Sequence, residues 1–467
     1  MKTKASNLQS RKQKKKVHVD QTWELINPHA AGIDIGSREH FVGVPAAATP
    51  KNVRSFGTFT ADLEALADWL IECRVTTVAM EATGVYWIPV FQILERRGLK
   101  ALLVNPRQTK NVAGRKTDVQ DCQWIQRLHT YGLLQGSFRP DDPYCVLRTY
   151  LRYRDELVAA RSTQCQHMQK ALCQMNLQLS QVLSDVTGVS GLAIIGAILQ
   201  GERDPAKLAT LADRRVRAKP ATIQKALQGD YRDEHLFVLQ QAFELHQTYE
   251  SKIAACDGQI AGELARLPDR VDPSVKPLPE RKAGRKPHLD QMAGQDLRAG
   301  LYRKGGVDLT AIEGIGVLTS LVLLTEIGPD VSRFPTVKHF CSWLGLCPDN
   351  RISGGKVLSS HTRRVVNRAS DALRMAASTL YRSQSALGGF HRRMKARLGA
   401  AEGVTATAHK LARIVYAMLK HGEAYAQEGI DAYEKKFQER KLAGLTKAAQ
   451  AMGFELVAKE PLPQGVS

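Results

Sequence analysis

A single carboxylate inside an apolar run constrains this chain more than any other feature. Residues 31–37 read AGIDIGS, with apolar residues on both sides of Asp34 and a break at Gly36. Apolar runs of this length that end at a glycine are typical of buried β-strands. A charge is almost never buried unless it is paired or binds a metal ion. The run therefore predicts a core strand whose acid belongs to a site that supplies a cation.

The segments that follow Asp34 alternate in a recognisable order. Three strands are predicted first, then a helix, a strand, a helix and a strand, at 31–37, 40–46, 53–59, 61–74, 76–80, 85–97 and 100–105. This order predicts an RNase H-like α/β domain, in which the early strands are antiparallel and the later crossovers are parallel and right-handed. In that topology the first and fourth strands are neighbours.

Four acids converge in this topology. Asp34 lies in the first strand and Glu81 ends the fourth, whereas Asp118 and Asp121 lie three apart at a predicted helix start with Thr117 as its N-cap. The spacing puts the two helix acids on one face, although taken singly both are ordinary helix-start residues. Four clustered carboxylates repel one another unless divalent ions, roughly 4 Å apart in two-metal sites, neutralise them. Oxygen ligands suit Mg²⁺, or Mn²⁺, and argue against zinc.

The charge of the chain indicates its partner. It carries 66 Lys and Arg against 46 Asp and Glu, a formal charge of +20, which favours a polyanion and nucleic acid first. Residues 1–16 are strongly basic and predict a disordered arm, either a solubilising tail or a phosphate contact.

No run approaches the ~20 apolar residues of a membrane span. Sparse cysteines without a C-x-x-C pair are expected to be reduced, in a cytoplasmic protein.

The rest of the chain is predicted to be helical. Apolar residues recur at steps of three and four between 147 and 179, interrupted by Arg154 and Arg161, and at steps of seven between 239 and 267. Both patterns predict long coiled-coil helices, and the sequence leaves open whether they pair within one chain or between chains. A basic, Pro-rich linker follows. Residues 309–317 then predict a helix-hairpin-helix around Gly314 and Gly316, whose backbone N–H groups can approach a phosphate.

A glycine-rich break near residue 350 holds a candidate nucleophile. Ser353 lies between basic residues and two glycines, but a serine hydroxyl is weak until a base or metal activates it. Read alone it is a turn serine, and Ser359 and Ser360 are rivals. The candidate nucleic-acid contacts are Arg115, Lys116, Gly314, Gly316, Arg351, Gly354, Gly355, Lys356, Arg363 and Arg364.

With these residues in view, the chain resembles the DEDD-type insertion-sequence transposases from about residue 30 to 425. The tetrad corresponds to Asp34, Glu81, Asp118 and Asp121, and the family's Ser-Gly-Gly motif begins at Ser353. The segments MEATGVYW, GRKTDVQDCQW, EGIGVLTS and WLGLCP are also similar to the family. The resemblance implies a disordered basic arm over 1–27, a RuvC-like nuclease domain over 28–145, a coiled-coil domain over 146–267, the linker over 268–296, a transposase domain over 297–430 and a charged tail over 431–467.

The resemblance also implies an activity. Members recombine double-stranded DNA at element ends and target sites with Mg²⁺, guided by an element-encoded noncoding RNA. They act as oligomers, with a tetramer built from dimers expected. The serine is implied to form a covalent phosphoserine. The carboxylate-bound metal of a neighbouring protomer's RuvC-like domain is implied to complete the reaction site. A bacterial, nucleoid-associated protein is expected.

Three other functions remain open from the residues. A structure-directed nuclease resembling junction resolvases needs the tetrad but no serine. An ATP-dependent phosphotransferase is suggested by the resemblance of residues 32–37 to a first phosphate loop, but a second such loop and an adenosine motif are not found in the sequence. A nucleic-acid scaffold with a silent site is the non-enzymatic alternative.

Overall fold

The computed structural model describes residues 24–82, 84–109, 117–280, 290–363, 365–422 and 430–457, although not every side chain between 430 and 437. The chain divides into two compact units, one that ends at Phe138 and one that begins at Arg139. The predicted basic arm over 1–16 lies outside the described residues. The same is true of three candidate nucleic-acid contacts, Arg115, Lys116 and Arg364.

The first unit is built on a five-stranded mixed sheet. Its elements are β1 (Ala30–Ile35), β2 (Glu39–Gly43), β3 (Val53–Gly57), α1 (Thr60–Glu72), β4 (Thr77–Glu81), α2 (Trp87–Arg96), β5 (Lys100–Val104) and α3 (Asp118–Thr130). Each lies where a strand or helix was predicted, because the sequence periods there are unambiguous. A mixed α/β unit of this kind fits the predicted RNase H-like fold.

The strand order confirms the neighbours that the sequence predicted. The sheet runs β3-β2-β1-β4-β5. The pairs β1–β2 and β2–β3 are antiparallel, and β1–β4 and β4–β5 are parallel. Ile33 of β1 lies beside Met80 of β4. The first and fourth strands therefore form the centre of the sheet.

Each face of this sheet has its own core. Ile33, Ile35 and Met80 pack with buried residues of α1 and α2, such as Leu66 and Leu94, on one face. Ala79, Val104, Ile125 and Leu134 form a smaller cluster on the other face, to which α3 contributes. Because side chains alternate along a strand, the residues next to Ile33 and Met80 point toward α3.

The second unit is mainly helical. Its helices are α4 (Asp142–Gln174), α5 (Leu179–Val182), α6 (Val189–Leu199), α7 (Pro205–Thr210), α8 (Pro220–Ala226), α9 (Asp233–Arg266), α10 (Leu297–Gly305), α11 (Val317–Ile327), α12 (Val337–Trp343), α13 (Arg368–Thr379), α14 (Ala386–Leu398), α15 (Ala400–His421) and α16 (Ile430–Ala451). Two short hairpins, β6 (Gln291–Met292) with β7 (Gln295–Asp296) and β8 (Arg351–Ser353) with β9 (Lys356–Ser359), accompany them.

The two long helices α4 and α9 pair within the chain. Arg154 contacts Asp257 and Arg161 contacts Glu250, so residue numbers rise along one helix as they fall along the other, and the pair is antiparallel. The two arginines that interrupt the predicted heptad seam are therefore ion-paired across it. At one end of the pair, α5–α8 enclose a separate apolar core. At the other end, α4 and α9 share a core with α10 and α11.

The predicted helix-hairpin-helix is not confirmed. Where its first helix was expected there is a three-residue 3₁₀ turn, Leu309–Ala311. Asp308 is the N-cap of this turn, and its carboxylate accepts hydrogen bonds from the backbone N–H of Thr310 (3.0 Å) and from the buried guanidinium of Arg298. The turn ends at Ile312, whose backbone is extended. Only the second helix, α11, forms as predicted.

Two smaller expectations concern the whole chain. The eight cysteines are all free thiols, as expected of reduced residues, although Cys173 is exposed. Among the described residues, no helix is both long enough and apolar enough to cross a membrane.

Candidate active site

The centre of the site is Asp34, on the face of β1 that meets α3. Its neighbours Ile33 and Ile35 are buried in the opposite core, and Asp34 itself is half-buried. The alternation of a strand therefore puts the carboxylate where it is partly withdrawn from water but still reachable.

Two glycines bring α3 against the sheet beside Asp34. Gly32 and Gly43 lie opposite each other in the β1–β2 pair. A Cβ on Gly32 would lie 2.3 Å from the backbone nitrogen of Gln126 and 2.4 Å from the carbonyl oxygen of Cys122. Only a residue without a side chain permits this approach, so the helix backbone rests directly on the strand. No pattern in the sequence predicted this packing role for Gly32.

The first turn of α3 supplies two more acids. Thr117 is the N-cap, as predicted, and its Oγ1 accepts a hydrogen bond from the Gln120 N–H at 3.3 Å. Asp118 is exposed and Asp121 is half-buried, and both lie in the first turn. Carboxylates are favourable at a helix N-terminus, because the helix dipole and unpaired N–H groups are positive there. This position offsets part of the repulsion from neighbouring acids.

Glu81 supplies the fourth carboxylate, at the end of β4. It follows Met80, which pairs with Ile33, so Glu81 comes next to Asp34 across the two parallel strands. The hydroxyl of Thr109 donates a hydrogen bond to the Glu81 carboxylate, and Thr109 is buried, with 1% of its surface exposed. Thr109 was not among the predicted site residues. It follows β5 on the same edge of the sheet, but a lone threonine after a turn gave no pattern to detect.

The electrostatics of Asp34 reflect this gathering of acids. Its pKa is raised from 3.8 to about 6, first by burial and then by the charges of Asp118, Asp121 and Glu81. All three of the other carboxylates thus lie within electrostatic reach of Asp34. Burial, with a further contribution from Asp34, also raises the pKa of the Cys122 thiol to about 12, so this cysteine is not a thiolate nucleophile.

The four carboxylates are suitable ligands for a divalent cation, although their present positions do not give a metal coordination geometry. Four carboxylates on one edge are the hard oxygen ligands that Mg²⁺ and Mn²⁺ prefer. The raised pKa of Asp34 shows that its ionised form is destabilised by burial and by the other acids. A bound cation would stabilise that ionised form. Within the part of the chain that the structure describes, no three His, Cys, Asp or Glu side chains are arranged to hold a metal ion. Coordination would therefore require side-chain rotations in the tetrad.

Comparison with known proteins shows which proteins two regions of the chain resemble. A transposase family model of the IS110 DEDD type matches residues 31–177, which include all four acids. A second model, described as "Transposase IS116/IS110/IS902 family", matches residues 308–392. Both matched regions are therefore similar to transposases of the IS110 type. A relative in Streptomyces coelicolor, "Insertion element IS110 uncharacterized 43.6 kDa protein", is 33% identical over 122 residues, which are 25% of this chain and 29% of that protein.

The second matched region, residues 308–392, contains the Ser353 hairpin. Ser353 ends β8 and pairs with Lys356 of β9. Gly354 and Gly355 form the turn with φ of +55° and +77°, left-handed angles that favour glycine. Ser353, Arg351 and Lys356 are all exposed. The hairpin therefore presents a hydroxyl between two cations to solvent.

Other candidates near the hairpin are more constrained. Arg363 donates a hydrogen bond from Nη2 to the Ser342 carbonyl at 2.6 Å, so its guanidinium is already anchored. Ser359 is half-buried, and its Oγ accepts a long hydrogen bond of 3.5 Å from the His361 N–H. Ser360 is exposed. Exposure therefore separates Ser353 from Ser359 but not from Ser360.

The two glycines before α11 differ in what surrounds them. Gly314 has φ of +83°, and a Cβ there would lie 2.6 Å from the Ala376 carbonyl oxygen of α13. This glycine serves close packing between segments. Gly316 is the N-cap of α11, makes no side-chain cap, and has open space around it. Of the two predicted phosphate contacts, only Gly316 leaves room for a ligand.

Proposed function

We propose that this chain is an RNA-guided DNA transposase of a bacterial insertion sequence, which cuts and rejoins DNA strands. The observation that carries the proposal is the convergence of Glu81, Asp118 and Asp121 on Asp34. The similarity of two regions to transposase families supports DNA as the substrate. The excess of basic residues, +20 formal charges over the chain, supports the same substrate.

The tetrad is proposed to hold Mg²⁺, or Mn²⁺, through its carboxylate oxygens. When bound, such ions stabilise the charge on the attacking and leaving oxygens of a phosphodiester. Asp34 would be the central ligand, because the charges of Glu81, Asp118 and Asp121 all act on it. Thr109 would fix the orientation of Glu81 through its hydrogen bond and acts as a positioning residue.

Ser353 is proposed as the nucleophile. Its Oγ would attack the scissile phosphorus and lose its proton, forming a Ser–O–P bond as the bond to the leaving deoxyribose oxygen breaks and that oxygen takes a proton. The DNA strand would then be held as a phosphoserine, and attack by an incoming hydroxyl would reverse the step and release the serine. Arg351 and Lys356, exposed beside Ser353, would offset the charge of the phosphate.

The wider assembly follows the family resemblance. Double-stranded DNA at element ends and targets, an element-encoded guide RNA and a homotetramer formed as a dimer of dimers are proposed as partners. The RuvC-like domain over 28–145, the coiled-coil domain over 146–267 and the transposase domain over 297–430 are the proposed working parts. The backbone at Gly316, Gly354 and Gly355 and the side chains of Arg115, Lys116, Arg363 and Arg364 are proposed to contact phosphates.

Trapping a covalent adduct is the experiment that tests this function. The protein is incubated with Mg²⁺, copurified RNA and end-labelled element DNA, then denatured and run on a gel. Wild type and the control variants Ser359→Ala and Ser360→Ala are expected to retain a labelled protein–DNA band that Ser353→Ala loses. Cleavage by wild type without any adduct would instead support the structure-directed nuclease, which needs the tetrad but no serine.

A further inference from the structure

An exposed apolar patch follows the acid edge of the sheet in the first unit, and the proposed chemistry gives it no role. The patch consists of Val85, Tyr86 and Ile88, where β4 connects to α2. Val85 has 67% of its surface exposed, Tyr86 50% and Ile88 37%. Their neighbour Trp87 packs toward the core and contacts the ring of Phe91 edge-on. The first turn of α2 is therefore anchored by Trp87, while the three patch residues face solvent.

The patch lies on the same edge of the sheet as Glu81. The N–H of Ala82 still donates to the Val104 carbonyl of β5 at 3.1 Å, so the chain leaves the sheet only after this residue. Tyr86 is the fifth residue after Glu81, and five residues cannot span more than roughly 17 Å. Ligands of open α/β sheets bind outside the carboxyl ends of the strands, which is where both residues lie. A ligand at the acids can therefore also reach Tyr86.

A glycine positions the Tyr86 ring. Gly84 has φ of +59°, a left-handed angle. A Cβ at Gly84 would lie 3.5 Å from Cδ2 and 3.6 Å from Cε2 of Tyr86, so the glycine backbone runs along one edge of the ring. Half of the surface of Tyr86 nevertheless remains exposed. The ring is thus supported from one side and open to a ligand.

A ligand that suits both the acids and the patch must be charged in one part and apolar in another. A nucleotide has this chemistry, because its phosphate binds a metal ion and its base stacks on aromatic side chains. Within an intact duplex, neighbouring bases cover both faces of each base, and exposing a face costs unstacking energy. The patch therefore fits a base of a locally unpaired strand better than an intact duplex.

The turn after β5 supplies a cation on the same edge. Arg107 is exposed and lies between Val104, which pairs with Glu81, and Thr109, whose hydroxyl donates to Glu81. An arginine at this place can contact the backbone of a strand whose base reaches the patch. Over roughly 17 Å, one strand in B-form geometry presents about five nucleotides. The base that meets Tyr86 is therefore expected within about five nucleotides of the phosphate at the acids.

We propose that Tyr86 stacks on an unpaired DNA base close to the phosphate that the four acids and their metal hold. The proposal rests on the proposed function for the choice of DNA, and it adds the form of the substrate, a strand opened at the reaction site. Every base has a π-face, so Tyr86 positions the strand without reading its sequence. Val85 and Ile88 border the stacked base and exclude water from its edge.

Binding to paired and to locally unpaired DNA tests the stack. One probe is a fully paired duplex of about 30 base pairs, and the other carries about five mismatches at its centre, which form a bubble. The full-length protein is titrated into each probe by fluorescence anisotropy, with Ca²⁺ in place of Mg²⁺ so that binding is recorded without turnover. The variants are Tyr86→Leu, which removes the ring, and Tyr86→Phe, which keeps it. Tyr153→Leu is the matched control, because Tyr153 on α4 has 53% of its surface exposed.

The effect is expected on the bubble alone. Tyr86→Leu should bind the bubble about 5-fold to 150-fold more weakly than wild type, the range that one base–aromatic stack contributes. It should bind the paired duplex like wild type. Tyr86→Phe and Tyr153→Leu should match wild type on both probes. Equal loss on both probes, loss in Tyr86→Phe, or wild-type binding of the bubble by Tyr86→Leu would overturn the proposal.

A photocrosslink locates the contact directly. 5-Iodouracil replaces the unpaired thymines of the bubble one at a time, and mass spectrometry identifies the crosslinked residue after irradiation. At least one position is expected to crosslink to Tyr86, and Tyr86→Leu is expected to lose that product. Crosslinks that form only at other residues would contradict the stack.

Further arms separate the stack from its rivals. If the patch is instead an interface between copies of the chain, Tyr86→Leu will form smaller oligomers by light scattering and lose both probes equally, which would overturn the proposal. A bubble of ribonucleotides gives the other arm, and a loss confined to it would assign the patch to RNA. Absence of covalent adducts in wild type would defeat the proposed serine chemistry but leave the binding and crosslinking results intact, so the two failures are distinguishable.

Discussion

The acid site and the serine hairpin are built in opposite ways. Asp34 lies half-buried between a central strand and a helix that rests on Gly32, whereas Ser353 ends an exposed two-stranded hairpin closed by Gly354 and Gly355. Backbone packing fixes the first region, and a local turn fixes the second. Burial is the largest cause of the raised pKa of Asp34, so a bound cation would stabilise its ionised carboxylate. Packing therefore fixes the proposed metal ligands, whereas the proposed nucleophile stays accessible to solvent.

Removing the central carboxylate is expected to have the largest effect. Asp34→Asn keeps the shape of the side chain but loses the ligand charge, so DNA cleavage is expected to fall roughly 10³-fold. The melting temperature of the metal-free variant should equal or exceed that of wild type, because the repulsion among the acids is relieved. Glu72→Gln, an exposed acid at the end of α1, is the control and should cleave normally. Unchanged cleavage by Asp34→Asn in Mg²⁺ would contradict the metal role.

Displacing α3 from β1 tests whether close backbone packing is needed at the acid site. A side chain on Gly32 must push α3 away, since its Cβ would lie 2.3 Å from the Gln126 nitrogen. Gly32→Val is expected to lower the free energy of unfolding by about 3 kcal/mol, measured by urea denaturation, and to lower DNA cleavage with it. Gly258→Ala, at an open position within α9, is the control and should raise stability by about 0.5–1 kcal/mol. Wild-type stability of Gly32→Val would show that the close contact is not needed.

The hydrogen bond to Glu81 is expected to matter less. Thr109→Val keeps the volume of the side chain and removes the hydroxyl, so cleavage and apparent Mg²⁺ affinity should each fall about 10-fold. Thr109→Ser restores the hydroxyl and should recover most of both. A merely structural role would give a loss of stability without a change in the Mg²⁺ dependence, and that outcome would remove Thr109 from the site.

The smallest expected effect is the pH dependence of the metal-free protein. The pKa of Asp34 is about 6 when folded, against 3.8 when unfolded, so between these values the folded state binds more protons. Stability should therefore fall as pH rises from 4 to 6, by on the order of 1 kcal/mol after allowance for solvent screening at a half-buried group. Chemical denaturation of wild type and Asp34→Asn across this range measures it. If the free energy of unfolding depended on pH in the same way in both proteins, ionisation of Asp34 would not destabilise the folded state.

The four acids that the structure brings together were named from the sequence, because their signals are local. The helix or strand that holds each acid can be predicted from its neighbours in the sequence. One acid lies in an apolar run, another ends a strand, and two have helical spacing. Thr109 could not be found this way, since its partner Glu81 is 28 residues away along the chain. The helix expected from Leu309 is a single 3₁₀ turn that ends where the backbone of Ile312 becomes extended, and no local pattern in the sequence indicated that end.

A crystal structure of the protein soaked in Mn²⁺, with anomalous scattering data, tests the central claim most directly. The prediction is one or two anomalous peaks at the edge of the sheet, about 2.0–2.3 Å from carboxylate oxygens of Asp34 and at least two of Glu81, Asp118 and Asp121. Peaks absent from this edge, while the same crystals bind Mn²⁺ elsewhere, would contradict the account.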